Sequence, residues 1–164
     1  MNIQLKKVIS GGQSGIDQIA LELAREHGIS TGGWMPPGFL TEYGENPEME
    51  SLYSMQETDG GLWAKRTRYN VRDADGTLLF GNMRSGGCVS TINFAIKYKK
   101  PHCINPNDDE LFAFIVNNGI QVLNVAGNKQ SILSPADEQK ARERLRKLFG
   151  SNTAIEYRTR CFDG

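Results

Sequence analysis

The stretch "VISGGQSGID", Val8 to Asp17, places three glycines where a β-rich run gives way to a helical pattern. Glycine lets backbone amides approach a ligand with no Cβ in the way, and a helix N-terminus adds unpaired N–H groups and a partial positive charge. Together Gly11, Gly12 and Gly15 therefore suit a phosphate or a similar anion, and a side chain at Gly12 is expected to fill the space that anion needs. The same arrangement recurs at "SGG", Ser85 to Gly87, again before a helical pattern. One such junction reads equally well as a tight turn. Two at one edge of a sheet favour an anion or nucleotide site.

The spacing separates this site from two common ones. It is not GxGxxG, and the second strand ends on Trp34, Met35 and Pro36 rather than on an acid that would hold a ribose, which disfavours NAD. No GK[ST] occurs, so a P-loop is excluded. The residues expected to bind are Gly11, Gly12, Gln13, Ser14, Gly15, Trp34, Arg66, Asn70, Asp75, Ser85, Gly86, Gly87, Thr91, Gly127, Asn128, Lys129 and Ser131. The glycines would admit backbone amides. Ser14, Ser85, Thr91 and Ser131 would donate hydroxyls, and Lys129 and Arg66 would balance charge. Asn70 and Asp75 would orient the ligand or its loop, and Trp34 would cover a ring. No metal ligands and no catalytic residues are assigned. The cluster of Lys65, Arg66, Arg68 and Arg72 reads mainly as a solvated helix face. His27 and His102 stand alone. Cys88 follows two glycines at a helix start, where a thiol pKa can fall, but a buried structural cysteine is the better reading.

To gather these residues, the chain must alternate strands and helices. Lys6 to Ser10 reads as a first strand, and Ile16, Ile19, Ala20, Leu23 and Ala24 fall on one helical face that Gly28 ends. Ile29 to Met35 reads as a second strand, followed by a long polar loop from Pro36 to Gly61. "LWAKRTRYNVRDAD" is a helix, "TLLFG" a buried strand, and Cys88 to Lys99 a helix. "PHCIN" and "IQVLNVAG" are strands that flank a helix capped by Asn107, with Glu110 in the capping-box position. Ser134, Pro135, early acids, late bases and Gly150 mark the last helix. "TAIEYRT" alternates weakly and could add an edge strand. The pattern predicts an α/β fold, a Rossmann-like three-layer sandwich with a mainly parallel sheet of about five or six strands. Ligands of such sheets bind beyond the carboxyl ends of the strands, where these glycines collect.

A length of 164 residues suits a single domain. Lysine plus arginine and aspartate plus glutamate both number 19, so no basic excess points to nucleic acid. The apolar runs are too short for a membrane span or a signal peptide. Three cysteines without CxxC spacing argue against a disulfide framework or structural zinc and for a cytoplasmic protein.

"ISGGQSGIDQIAL", "GGWMPPG", "TRYNVRDADGTLLF", "SGGCVSTINFA", "KKP" and "LNVAGNKQS", in this order, resemble the putative molybdenum carrier family, a circularly permuted branch of the SLOG superfamily that also holds the LOG phosphoribohydrolases. The resemblance runs from about Ile9 to Ser131 and on through the last helix. It implies a Rossmann-like fold and a nucleotide-derived or pterin-phosphate ligand, with molybdenum cofactor as cargo. On the helix Cys88 to Lys99, Val89, Ile92, Phe94, Ala95, Ile96 and Tyr98 spread around more of the circumference than one sheet can cover, which together with the pairing common among relatives points to a homo-oligomer. Two departures matter. Where the family tends to have Cys-Pro-Lys-Gly-Arg, this chain has Met35, Pro36, Pro37, Gly38 and Phe39; where it tends to have Gly-Pro-Arg-Glu-Ser, this chain has Gly127, Asn128, Lys129, Gln130 and Ser131. Against the PGGxGTxxE motif of the hydrolase relatives, Val89 replaces a glycine and Asn93 the glutamate. The expected function is thus binding of a phosphorylated, nucleotide-like or pterin-derived small molecule. The alternative is a nucleotide or nucleoside-monophosphate hydrolase, for which Asp17, Asp73 and Asp75 are the carboxylates near the glycines in sequence.

Overall fold

Short apolar runs bounded by glycine and polar turns become parallel strands when helices cover both faces of the sheet. The computed structural model of the chain describes residues 3–153 and shows this arrangement. In chain order the elements are β1 (Lys7–Ile9), α1 (Ile16–Glu26), β2 (Ser30–Met35), β3 (Leu40–Thr41), β4 (Gly44–Glu45), α2 (Glu48–Tyr53) and β5 (Met55–Glu57). There follow α3 (Trp63–Asp73), β6 (Gly76–Phe80), α4 (Gly86–Lys97), β7 (His102–Ile104), α5 (Asp108–Asn117), β8 (Val122–Gly127) and α6 (Pro135–Gly150). The main sheet has six strands in the order β5-β2-β1-β8-β6-β7, and every pairing in it is parallel. The Rossmann-like α/β reading therefore holds.

The helix ends follow the residues that signal them. Asn107 Oδ1 accepts from Glu110 N at 2.8 Å and Ser134 Oγ from Asp137 N at 3.1 Å, each replacing a bond the first turn cannot make internally. Gly28, at φ 71°, turns the chain out of α1. One expectation fails: residues 36–61 are not a featureless loop. They hold a small antiparallel pair, β3 and β4, then α2 and the edge strand β5, which pairs with β2 in the register Gly33↔Met55. A second apolar cluster of Leu21, Met35, Phe39, Met49 and Met55 anchors that segment. The strand expected in "TAIEYRT" lies outside the described residues.

The two faces of the sheet differ. Leu123 and Val125 of β8 point into the large apolar cluster with Ile16, Leu23, Leu111, Leu145 and Phe149, contributed by α1, α5 and α6. Alternate residues of a strand face opposite ways, so Asn124 and Ala126 face α3 and α4. Among the described residues, neither apolar cluster includes a residue of α3 or α4. On that face Val71, Cys88 and Ala95 are buried and hydrogen bonds add a polar clamp: Asn70 of α3 accepts from Trp34 N at 2.9 Å and donates to Trp34 O at 3.0 Å.

The junction between β1 and α1 depends on Gly15, whose φ is 84° and whose missing side chain leaves room for the backbone of Asn128 to Gln130. Ile16 N donates to Asn128 O at 3.1 Å through that close approach. We expect Gly15→Ala to lower stability by about 2–4 kcal/mol, from left-handed strain plus displaced backbone. A urea melt measures it; a loss below about 0.5 kcal/mol, the size of an ordinary surface change, would show the approach is not needed.

Candidate functional site

Because α3 and α4 meet the sheet over polar and small residues, they leave a cleft between them. Its volume is about 760 Å³, within the usual range for small-molecule sites. The floor is Asn124, Ala126 and Gly127 of β8; one wall is α3, with Trp63, Arg66, Thr67 and Asn70; the other is the start of α4, with Ser85, Gly86, Gly87, Ser90 and Thr91. Gly11, Gln13 and Asp17 close the back, and Glu42, Leu62, Lys129 and Ile132 stand at the remaining margin. This is the carboxyl end of the strands, where the sequence places the site.

The back wall is built on an ion pair. Arg66 Nη1 donates to Asp17 Oδ2 at 3.0 Å, and both side chains are nearly buried. Gln13 N donates to the same oxygen at 3.2 Å. Burial pushes the Asp17 carboxyl above its ordinary value, against the lowering pull of Arg66 and of the Gln13 amide. A Cβ on Gly11 would land on the Arg66 guanidinium, so the glycine makes room for the pair. Trp63 shields the outer side, with its ring centroid 5.5 Å from Arg66 Cζ.

The α4 wall presents a helix N-terminus. Ser85 caps it, accepting from Cys88 N at 3.3 Å, and Thr91 Oγ1 donates to Gly87 O at 2.9 Å. A Cβ at Gly86 or at Gly87 would meet nothing within 4 Å, so both glycines open directly onto the cleft. Asn128 fixes this loop: its Oδ1 accepts from Asn82 N at 2.6 Å and its Nδ2 donates to Asn82 O at 2.9 Å. At the margin, Glu42 Oε2 accepts from Ser14 Oγ at 2.6 Å, and Glu42 N donates to Gln13 Oε1 at 2.8 Å. Partial burial works to raise the Glu42 carboxyl, but hydrogen bonds from Ser14 and Ser131 and the charge of Lys129 outweigh it and hold the group below its ordinary value.

Of the residues singled out from sequence, Gly11, Gln13, Arg66, Asn70, Ser85, Gly86, Gly87, Thr91, Gly127 and Lys129 come together around the cleft. Others do not line it. Gly12 has φ 68° and a Cβ there would strike Met35 in the second apolar cluster, so Gly12→Val would disturb packing rather than fill the cleft. Gly15 and Asn128 shape backbone. Ser14 and Ser131 serve Glu42, and Ser14 Oγ also accepts from Gln130 N at 3.2 Å. Trp34 is misplaced: its Nε1 donates to Asp73 Oδ2 at 2.8 Å beside a separate cleft of about 200 Å³. Asp75 is at the opposite end of β6, where it accepts from Gln121 N and Val122 N at 3.0 and 2.8 Å. Both of Asn70's amide ends are taken by β2, so it positions α3. Cys88 is buried and its thiol is pushed up by that burial, as a structural cysteine should be.

Among the lining residues that escaped the sequence reading as ligand contacts are Asp17, Glu42, Trp63 and Asn124. Trp63 sits in "GGLWAK" and Asn124 in "LNVAG", a polar residue inside an apolar strand pattern, which is the one signal that could have found it. Glu42 lies in the segment read as loop and carries no local signal.

Removing one member of a buried ion pair strands the other, at a cost of about 3–5 kcal/mol. We therefore expect Arg66→Met to destabilise the protein by that order, and Arg66→Met/Asp17→Leu to recover most of it. Denaturant melts of both variants decide; equal losses in the two would mean that α3 docks independently of the pair.

The profile of the circularly permutated YpsA SLOG family matches residues 8–149. No curated protein matches the chain. A crystal structure of a putative molybdenum carrier protein from Syntrophus aciditrophicus is 38% identical, superposes with a TM-score of 0.77, and the alignment covers 90% of this chain and 96% of that one. A motif order, a strand order and a profile that agree over nearly the whole described chain have one reading: the protein belongs to the circularly permutated YpsA SLOG family.

Proposed function

We propose that the cleft binds a phosphorylated, nucleotide-like or pterin-derived small molecule in the cytoplasm, and that the protein acts as a carrier for such a ligand, with molybdenum cofactor as the cargo that fits best. The observation that carries this reading is the start of α4, where Gly86 and Gly87 are open to the cleft that Lys129 also lines. Unpaired N–H groups, the positive end of the helix and a lysine in the same cleft favour a phosphate group there. Trp63, Leu62 and Ile132 supply an exposed apolar margin against which a ring can lie. The likeness to a putative molybdenum carrier protein supports the cargo. Among the described residues no group of three His, Cys, Asp or Glu side chains gathers around a metal-sized point. The free thiols of Cys88 and Cys103 accord with a cytoplasmic setting.

Mass spectrometry of the native protein should release a phosphorylated heterocycle. Gly86→Val/Gly87→Val should stay within about 0.5 kcal/mol of the parent stability, since open space surrounds both positions. It should nevertheless lose the thermal shift given by pterin phosphates or nucleoside monophosphates. A variant that folds and binds as before would place the anion elsewhere.

The hydrolase reading has one observation in its favour. Asp17 and Glu42 both line the cleft, both bond to Gln13, and their carboxyls are pushed in opposite directions. Asp73 and Asp75, the other carboxylates weighed from sequence, are outside the cleft. Steady release of free base from a nucleoside monophosphate, abolished in Glu42→Gln, would favour that reading over the carrier.

The reading extends to assembly. Val89 and Ile96 on α4 are 44% and 61% exposed, an apolar surface that a homo-oligomer would cover. Light scattering at micromolar concentration should give a multimer that Ile96→Asp dissociates; a monomeric parent protein would end the idea.

A further inference from the structure

Among the described residues, two buried side-chain polar atoms have no hydrogen-bond partner: Arg66 Nε and Asn124 Oδ1. Both residues line the same cleft. One is a donor and the other an acceptor. Native proteins leave few such atoms unpaired, because each loses its water and gains nothing in return.

The position of Asn124 sharpens the point. It is 2% exposed and lies on β8, a central strand, opposite Ile9 on one side and Thr77 on the other. A strand covered on both faces normally carries apolar side chains. Asn124 Nδ2 donates to Thr77 Oγ1 at 3.2 Å, which fixes the amide with its carbonyl end free. The next residue on this side of the strand is the small Ala126, so the floor beside that carbonyl is low. Arg66 stands on the α3 wall, its Nη1 committed to Asp17 and its Nε uncommitted. Trp63 and Leu62, at the start of α3, offer apolar surface at the mouth.

We propose that the floor of the cleft is a subsite for a planar nitrogen heterocycle that carries a ring N–H beside a ring carbonyl, the edge shared by oxopurines and pterins. Asn124 Oδ1 accepts from the ring N–H, and Arg66 Nε donates to the adjacent carbonyl oxygen. The proposal rests on the reading of the cleft as a ligand site and adds to it the edge by which the ring is chosen. A ring without the N–H leaves Asn124 buried and unpaired, so it is rejected.

Guanosine and 1-methylguanosine carry this edge with and without its ring N–H, and ribose 5-phosphate carries a phosphate with no ring. Calorimetric titration of each into the parent protein and into Thr77→Val/Asn124→Leu separates the parts. The parent should bind guanosine at least tenfold more tightly than 1-methylguanosine. The variant, in which both polar partners are replaced by apolar groups of similar shape, should lose that preference and keep its affinity for ribose 5-phosphate. Its ligand-free melting temperature should equal or exceed the parent's, because an unpaired acceptor has been removed. Equal affinity of the parent for the two nucleosides, binding of ribose 5-phosphate without binding of guanosine, a preference that survives in the variant, or a lower ligand-free melting temperature would each overturn the ring subsite. Guanosine binding with the predicted preference, but no binding of ribose 5-phosphate, would uphold the subsite and refute the phosphate reading instead.

Discussion

The pair between Arg66 and Asp17 sets the geometry of the cleft. A carboxylate as buried as Asp17 resists ionisation, as the upward push on its proton affinity shows, so it is kept in place only by a cation and an amide aimed at it. The cation comes from α3, some distance along the chain, and the amide from Gln13 in the turn after β1. The pair therefore holds α3 at a fixed height above the end of β1. Asn70, one turn further along α3, holds the same helix to β2 through both ends of its amide. These two polar clamps fix where α3 sits over β1 and β2, while α3 and α4 pack on each other beyond the cleft. Such pairs contribute little net stability against apolar packing. What they supply here is a spacing, and the spacing is the cleft.

That spacing explains why the two faces of one sheet are so unlike. On the α1, α5 and α6 side, Leu123, Val125, Leu145 and Phe149 interlock in a continuous core, which is where most of the burial resides. On the other side, β8 shows Asn124 and Ala126 beside Thr77 of β6, residues poor at holding a helix by contact alone, and the apolar Leu79 is further along β6. A fold can leave one face under-packed when the opposite face supplies the apolar burial. The glycines divide along the same line. Gly15 lets backbone meet backbone, Gly11 makes room for a guanidinium, and Gly86 and Gly87 leave space that nothing in the protein fills.

The sequence disclosed the alternation of elements, the helix caps and the edge of the sheet that carries the glycines, because each is a local property read within a few residues. It was less informative where function depends on direction. Gly12 and Gly86 look alike in a string, yet one faces Met35 and the other open space. Trp34 and Trp63 are both plausible covers for a ring, and only the docking of α3 decides between them. Asp75 follows the α3 helix closely in sequence, yet it precedes β6 and so sits at the far end of that strand from the site. Glu42 and β5 were missed for another reason. Residues 36–61 carry no sustained periodicity, and their order comes from contacts with α1 and β2 that no short window contains.

A site with polar atoms left unpaired in its floor behaves differently from one that is merely apolar. In the free protein Asn124 Oδ1 and Arg66 Nε raise the energy of the folded state, since water has been removed from both without replacement. A ligand that matches them gains those bonds without first stripping the protein of water. A ligand that does not match leaves the penalty in place and adds its own desolvation. Phosphate binding at a helix N-terminus discriminates weakly among phosphorylated molecules, because on the proposed reading the N–H groups and Lys129 would address the anion alone. On the proposed reading, then, the α4 end of the cleft would supply much of the affinity and the β8 floor most of the choice. This division suits a carrier, which must hold one cargo among many soluble phosphates and still release it.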